Sequence, residues 1–482
     1  MTMIKTLFAS ASAMTIAACA TVGPNYTQPP VDQFTQGTLE SDSAVTASAA
    51  EPAQSWWKAL EDETLNMLIE RAFVENRDLR VAAANVEAAR AALRLERTNL
   101  RPTGEAGADY QRRRLSGASF GADGASFDDT NYFDVGLNAA WELDFFGRVR
   151  RGTEAALADA QSAEYLRRDA EALVAAETAH AYIDYRGAQT RLAVARRNLD
   201  IQSETRLLTQ TRFEEGMGTR LDVARAETQA KTTEASIPPL EANETAAANR
   251  LATLTGAPVS EIAALLDGGA DTALPSPPDA LAIGDPEGLL KRRADVRAAE
   301  RTLAAATARI GVAKADYFPR ITLVGAVSAS AQTLSGVGGD GSFGYGVGPS
   351  LAWSGFDIPR VRAQVKAADA RADAAFAAYE QTVLVALEET RTALSAYGRE
   401  RVRFNALNAA AATAREAAVL ARERYDAGAD DFIDVLDAEG RQLAAEASLA
   451  ESQSAVASRF INVYLALGAG WRTEPATNET RA

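Results

Sequence analysis

Hydrophobic and polar residues follow two different periods along this chain. Short stretches alternate with period two. Phe133, Val135, Leu137, Ala139, Trp141 and Leu143 stand between Asp134, Gly136, Asn138, Ala140 and Glu142. Phe343, Tyr345, Val347, Leu351 and Trp353 alternate with Gly344, Gly346, Gly348, Ser350 and Ala352. Ile321, Leu323, Val327 and Ala329 mark a third strand, and Gly104 to Arg112 a weaker fourth. Successive strand side chains point to opposite faces, so each stretch has one apolar and one small or polar face. About 10 residues of this kind match a transmembrane β-strand. They also match a soluble hairpin packed on a core, because period two does not separate the two. Four strands cannot close a barrel, since the smallest have about 8, and lipid does not tolerate an open edge. If these strands span a membrane, several chains must share one barrel. The Gly-rich stretches Ser116 to Gly124 and Ser335 to Gly341 are the expected surface loops.

Elsewhere the period is helical. Residues 148 to 214 contain no proline and are rich in Ala, Leu, Glu and Arg. At about 1.5 Å per residue they form a helix of about 100 Å. That length suggests a coiled coil or a helical array. Leu166, Leu173, His180, Gly187, Val194, Ile201 and Leu208 recur every seven residues, as along a coiled-coil seam. Tyr185, Leu192 and Leu199 form a second row on nearly the opposite side. Two seams mean two neighbours, which fits a closed ring of helices. His180, within a seam, reads as packing. Pro238-Pro239 is expected to break or kink the following helix.

The pattern occurs twice. Arg212-Phe213-Glu214-Glu215-Gly216 matches Arg424-Tyr425-Asp426-Ala427-Gly428, an offset of 428 − 216 = 212. The same offset carries Arg148-Val149-Arg150 onto Arg360-Val361-Arg362, Leu221-Asp222-Val223 onto Ile433-Asp434-Val435, and Gly256 onto Gly468. Upstream, Asp78-Leu79-Arg80 matches Asp295-Val296-Arg297, and Pro102 matches Pro319, an offset of 319 − 102 = 217. The chain is therefore two copies of one unit: helix, hairpin, very long helix, turn, long helix.

Composition narrows the chemistry. The 482 residues carry a formal charge of −15, which argues against a nucleic-acid binder. One cysteine and one histidine exclude an intrachain disulfide and a Cys/His zinc site. A Ser-His-Asp enzyme would rest on His180 alone. There is no nucleotide loop or metal cluster, so no cofactor, no metal and no catalytic residue is expected.

The cysteine, Cys19, ends a leader. Lys5 is basic, Leu7 to Ile16 is apolar, and Ile16-Ala17-Ala18 precedes it. About ten apolar residues suit a signal peptide rather than a membrane span. The arrangement resembles a bacterial lipobox, whose cysteine is acylated and becomes the N-terminus; an ordinary leader with an incidental cysteine is the other reading. Ala20 in place of Asp implies sorting to the outer membrane. Three acyl chains exceed the two signals that stable anchoring needs.

After Cys19, Val22-Gly23-Pro24-Asn25-Tyr26 with Pro29 resembles a VGP-x-Y-x-x-P start. Trp56-Trp57 with Leu65 and Leu68-Ile69, and Ala466-Leu467-Gly468-Ala469-Gly470-Trp471, resemble a WW…L..LI segment and an ALGGGW close. Together with the duplication, these motifs resemble the TolC family of outer-membrane efflux channels, in the NodT-like lipoprotein branch that serves resistance-nodulation-division pumps. The resemblance implies an α+β membrane protein. Three chains would give a 12-strand transmembrane β-barrel, four strands each, continuous with a long α-helical barrel. It implies a homotrimer that meets a periplasmic adaptor (a membrane fusion protein), an inner-membrane pump and outer-membrane lipid, with no nucleic acid. The trimer would carry 3 × (−15) = −45. The expected organisation is a signal peptide over 1–18, an anchor and equatorial segment with the first helix over 19–102, and a hairpin over 103–147. A helix pair over 148–256, an equatorial linker over 257–290 and a helix over 291–319 follow. The second hairpin takes 320–356, the second helix pair 357–468 and an equatorial tail 469–482.

The resemblance also places a periplasmic gate at the helix-to-helix turns. The matching stretch is Ile433-Asp434-Val435-Leu436-Asp437. Carboxylates ringing a narrow axis favour cations. Asp434 and its repeat partner Asp222 equally suit helix caps. Asp437 has Arg225 as its repeat partner, so capping does not account for it; a salt bridge to Arg225 is its alternative. Ile433 would be an apolar constriction. Tyr425 and Asp222 would hydrogen-bond between helix pairs to hold the tip shut. Some members add an arginine two residues after the turn glycine, where this chain has Asp430. Phe213, Gly216, Tyr425 and Gly428 would form the turns on which the adaptor docks. The expected function is passive export of small toxic compounds. A lipidated periplasmic coiled-coil scaffold, or a type I secretion exit channel of the same fold, are the alternatives.

Overall fold

The computed structural model describes residues 21–30, 46–114, 116, 128–267 and 273–472. Cys19, the leader over 1–18 and most of the Ser116 to Gly124 loop lie outside them. In chain order the elements are strand β1 (Thr46–Ser48), a short 3-10 helix (Trp56–Leu60), α1 (Glu63–Glu75), α2 (Arg77–Thr98), β2 (Thr103–Arg113) and β3 (Thr130–Glu142). The first long pair is α3 (Arg148–Glu214) and α4 (Arg220–Thr255). Then come α5 (Val259–Asp267), β4 (Ala280–Ala282), α6 (Pro286–Arg292), α7 (Ala294–Ala315), β5 (Arg320–Ala331) and β6 (Phe343–Ala352). The second pair is α8 (Ile358–Asp426) and α9 (Phe432–Ala466). Among the described residues no helix is long and apolar enough to cross a membrane.

The chain divides into two compact units. One comprises residues 1–29, 85–163 and 298–379. Its centre is an antiparallel sheet in the order β2-β3-β5-β6. The register puts Tyr110, Phe133 and Ala331 in one row, Leu137, Val327 and Tyr345 in another, and Trp141 beside Leu323. All of these share one face, and Glu105, Asp109, Asp134 and Asn138 share the other. The apolar face is uncovered: Tyr345 is 89% and Val347 75% exposed. A water-soluble monomer rarely exposes so broad an apolar surface, whereas lipid would cover it. Trp141 and Trp353 each donate their indole N–H to a carbonyl, that of Leu100 and of Tyr317, at 3.1 Å. These partners obey the repeat offsets (353 − 141 = 212; 317 − 100 = 217). Satisfied indoles at strand ends form the aromatic girdle of a membrane β-protein.

The segment after the leader is seated in this unit. Val22 donates its N–H to the Phe146 carbonyl at 3.1 Å. Arg151 donates to the Val22 and Gly23 carbonyls and to Asn25 Oδ1. The Tyr26 hydroxyl donates to Glu300 Oε1 at 2.8 Å. The fit needs glycine: a Cβ on Gly23 would lie 2.5 Å from Gly311 Cα, and φ at Gly23 is +94°.

The other unit comprises 30–84, 164–297 and 380–482. Its core is aromatic. Trp56 and Trp57 are each 1% exposed and pack against Phe73, Phe460 and Tyr464. Burying about 200 Å² of each indole contributes about 5 kcal/mol. Asp62 caps α1 through Leu65 N at 2.8 Å and accepts from the Tyr182 hydroxyl at 2.7 Å. His180 faces Asn462 at 2.9 Å; burial holds its pKa below the usual value.

One expectation is narrowed and another is corrected. α4 runs through Pro238 and Pro239 without a break. Both prolines, and the Glu234 and Ala235 carbonyls that lose their donors, are exposed, so water takes the donors' place. The row read as an apolar seam is not the best-buried face of α3: Leu166 and Leu173 are exposed. In the last quarter of α3, beyond Arg197, the buried residues are Asn198, Gln202, Thr205 and Thr209. They lie in the same unit as Glu439, Gln442 and Glu446 of α9, also buried. Asn198 and Arg197 donate to Glu446 Oε2, while Arg415 and Gln442 donate to its Oε1. Thr205 donates to Glu439 Oε1 at 2.9 Å. The seam is polar.

Candidate gate at the helix-to-helix turns

Both long-helix turns are built alike. α3 stops because Gly216 adopts φ +75°, with Gly216 N bonded to the Phe213 carbonyl and Met217 N to the Arg212 carbonyl at 2.8 Å. α8 stops at Gly428, φ +72°, with Gly428 N on Tyr425 and Ala429 N on Arg424 at 2.9 Å. This pair of bonds is the Schellman close of a helix, which favours glycine. Gly256 and Gly468 repeat it at the C-terminal ends of α4 and α9. A Cβ on Gly216 or Gly428 would meet nothing within 4 Å, so positive φ alone requires glycine there.

The next helices start differently. α4 opens on Thr219 with a full capping box: Thr219 Oγ1 accepts from Asp222 N, and Asp222 Oδ2 accepts from Thr219 N, both at 3.2 Å. Asp222 is thus a structural partner of Thr219, and Arg225 lies 4.0 Å from it. α9 opens on Asp431, whose side chain makes no capping bond. Asp434 is the third residue of that helix, exposed, where an anion meets a favourable dipole. Asp437 is exposed and pairs with Arg441 one turn on, at 3.0 Å, rather than with Arg225. Ile433 is 46% exposed.

Tyr425 does not meet Asp222 within the chain. Its ring lies 5.4 Å from that of Phe432, beside buried Ala226 and Val435. The Arg212 guanidinium lies 4.2 Å from the centroid of the same ring and 3.7 Å from Asp426. Asp430 takes Arg424 in a two-point ion pair at 2.5 and 2.8 Å. That guanidinium holds the Asp430 carboxyl below its usual pKa. Sequence reasoning placed the turns and their acids, but missed Arg212. Phe213, Met217, Leu221 and Ile433 leave apolar surface exposed at these turns. Among the described residues no cluster suits a metal.

A duplicated chain with a lipid-facing four-stranded sheet and very long paired helices is the protomer of a channel that spans the outer membrane. The chain belongs to the outer membrane efflux protein family, which matches over residues 68–257 and 286–469. The two matched segments are themselves offset by 286 − 68 = 218 and 469 − 257 = 212 residues, the internal repeat again. Nodulation protein T of Rhizobium leguminosarum bv. viciae is 32% identical over 468 residues, covering 96% of this chain and 93% of that protein. Outer membrane protein OprJ of Pseudomonas aeruginosa is 34% identical over 462 residues, covering 95% and 94%. The solved outer-membrane channel OprN superposes with a TM-score of 0.85 at 39% identity, over 94% of this chain and all of that one. The fold is the TolC-like one that the motifs imply, and the function is efflux across the outer membrane.

Proposed function

We propose that three copies of this chain form one conduit, which receives small toxic compounds from a periplasmic adaptor and an inner-membrane pump and releases them outside. One observation carries the trimer: the sheet has two unpaired edges, β2 and β6, and an apolar face exposed across its width. Three such sheets joined edge to edge give twelve strands and leave no edge in lipid. Acylation of Cys19 anchors each protomer. Thr21, two residues on, lies against Gly147 just after β3, where a Cβ would be 2.4 Å from Thr21. An equatorial belt takes the 257–290 linker and both terminal segments: β1 pairs with β4, and Gly470 lies beside Trp56.

Asp437 and Asp434 line the narrow periplasmic opening with Ile433, and the exposed turns at Phe213–Gly216 and Tyr425–Gly428 receive the adaptor. Light scattering of detergent-solubilised protein tests the assembly; a monomer refutes it. In planar bilayers Asp437→Ala is expected to raise conductance. A Gly339→Cys variant labelled from outside intact cells separates a spanning channel from a periplasmic tether, which stays unlabelled.

A further inference from the structure

Arg212 and Arg424 occupy the same place in the two repeats yet do different work. Arg424 folds onto its own turn and pairs with Asp430. The first repeat has Gly218 at the position of Asp430 (430 − 212 = 218), so Arg212 has no such acid to take. It reaches instead to the other repeat. Its guanidinium stacks over the Tyr425 ring at 4.2 Å and meets Asp426 at 3.7 Å. With a side chain 24% exposed it is more sheltered than Arg424 at 63%. Tyr425 in turn touches Phe432 at the start of α9. Among the described residues its hydroxyl makes no hydrogen bond, so the ring is the engaged part. One aromatic ring thereby joins the ends of α3, α8 and α9.

We propose that Arg212 is a positioning residue of the gate: its stack on Tyr425 holds the α8–α9 turn, and with it Asp434 and Asp437, in the closed place. The guanidinium takes the part that the resemblance gives to an arginine two residues past the turn glycine, where this chain carries Asp430. A planar guanidinium suits an aromatic face in a way that an ammonium does not. The inference rests on the gate reading above.

The test is single-channel conductance of the full-length protein in planar bilayers. A partly exposed cation–π contact shifts an equilibrium by about two- to fivefold. Three copies that open together shift the open-to-closed ratio by about tenfold to a hundredfold. Arg212→Met is expected to show that rise, and Arg212→Lys a smaller one, with trimer melting unchanged. Tyr425→Leu matches Arg212→Met, and the double replacement adds nothing to either. Tyr425→Phe, which keeps the ring, stays nearer wild type than Tyr425→Leu. Equal effects of Phe and Leu would transfer the latch to the hydroxyl and overturn the proposal. So would additive single replacements, or wild-type conductance in Arg212→Met while Asp437→Ala conducts more. If Asp437→Ala leaves conductance unchanged, the carboxylate gate itself fails, whatever Arg212 does.

Discussion

The polar seam between α3 and α9 makes a prediction in which two glutamates act with opposite sign. Glu439 and Glu446 lie seven residues apart, two turns on one face, and both are buried. Burial alone would raise the pKa of Glu446, but Arg197, Arg415, Gln442 and Asn198 bond to it and hold it at about 2. Burial dominates at Glu439 and raises its pKa; one Thr205 hydroxyl and the more distant Arg422 guanidinium oppose this. Only one Glu439 oxygen is bonded, since Oε2 has no partner.

Glu446→Gln removes the charge that its arginines share. Hydrogen bonds to a charged group contribute about 1.5–3 kcal/mol each. Arg197 and Arg415 are 55% and 56% exposed, and water compensates them in part, so the total loss is about 2–3 kcal/mol. Hydrogen exchange of peptides over 198–209 and 439–446 reads local opening, and that loss is about 30- to 150-fold faster exchange. Glu439→Gln keeps the Thr205 bond and deletes a desolvated charge, so exchange stays level or slows.

The pH dependence follows the same division. Glu446, with its pKa depressed, stabilises the seam above the ordinary value of 4.5, and that contribution disappears as pH falls towards 2. Glu439, with its pKa raised, favours the seam when protonated, and loses that contribution as pH rises through its folded value. If Glu439→Gln accelerates exchange at pH 7 as much as Glu446→Gln does, the reasoning fails.

Other outcomes are equally direct. Thr219→Ala should cost about 1 kcal/mol at the start of α4, because it removes a capping box. Asp431→Ala should cost close to nothing at the matching start of α9, where no side-chain cap exists; exchange of the two first turns compares them. Gly311→Ala places a Cβ 2.9 Å from the Val22 carbonyl. It should release residues 21–26, seen as at least tenfold faster exchange of that segment and as new protease cuts, with the sheet unaffected.

Strands and duplication were legible because each rests on a rule that needs no partner. Period two puts Phe133 and Trp141 on one face whatever lies opposite, and a constant offset of 212 needs only counting. The turn glycines were legible for the same reason, since positive φ is a local demand. Side-chain alliances were not. Asp437 has Arg441 within one turn and Arg225 only through folding, and the nearer cation won. Arg212 meets Tyr425 across more than two hundred residues, which no spacing announces. The polar seam did leave a signal: Asn198, Gln202, Thr205 and Thr209 are spaced four, three and four apart, and Glu439, Gln442 and Glu446 three and four apart. That is a heptad pattern written in polar letters, and a search for leucines overlooks it.

The four matching glycine closes give the two halves of the chain the same skeleton at the helix C-termini, while the N-terminal starts of α4 and α9 have diverged. In the trimer proposed above, six helix pairs would come from three identical backbones. Thr219 clasps Asp222 at the start of α4, while the Asp431 side chain caps nothing at the start of α9. Under that proposal the tips would alternate capped and uncapped helix starts, three braced posts beside three leaves freer to swing.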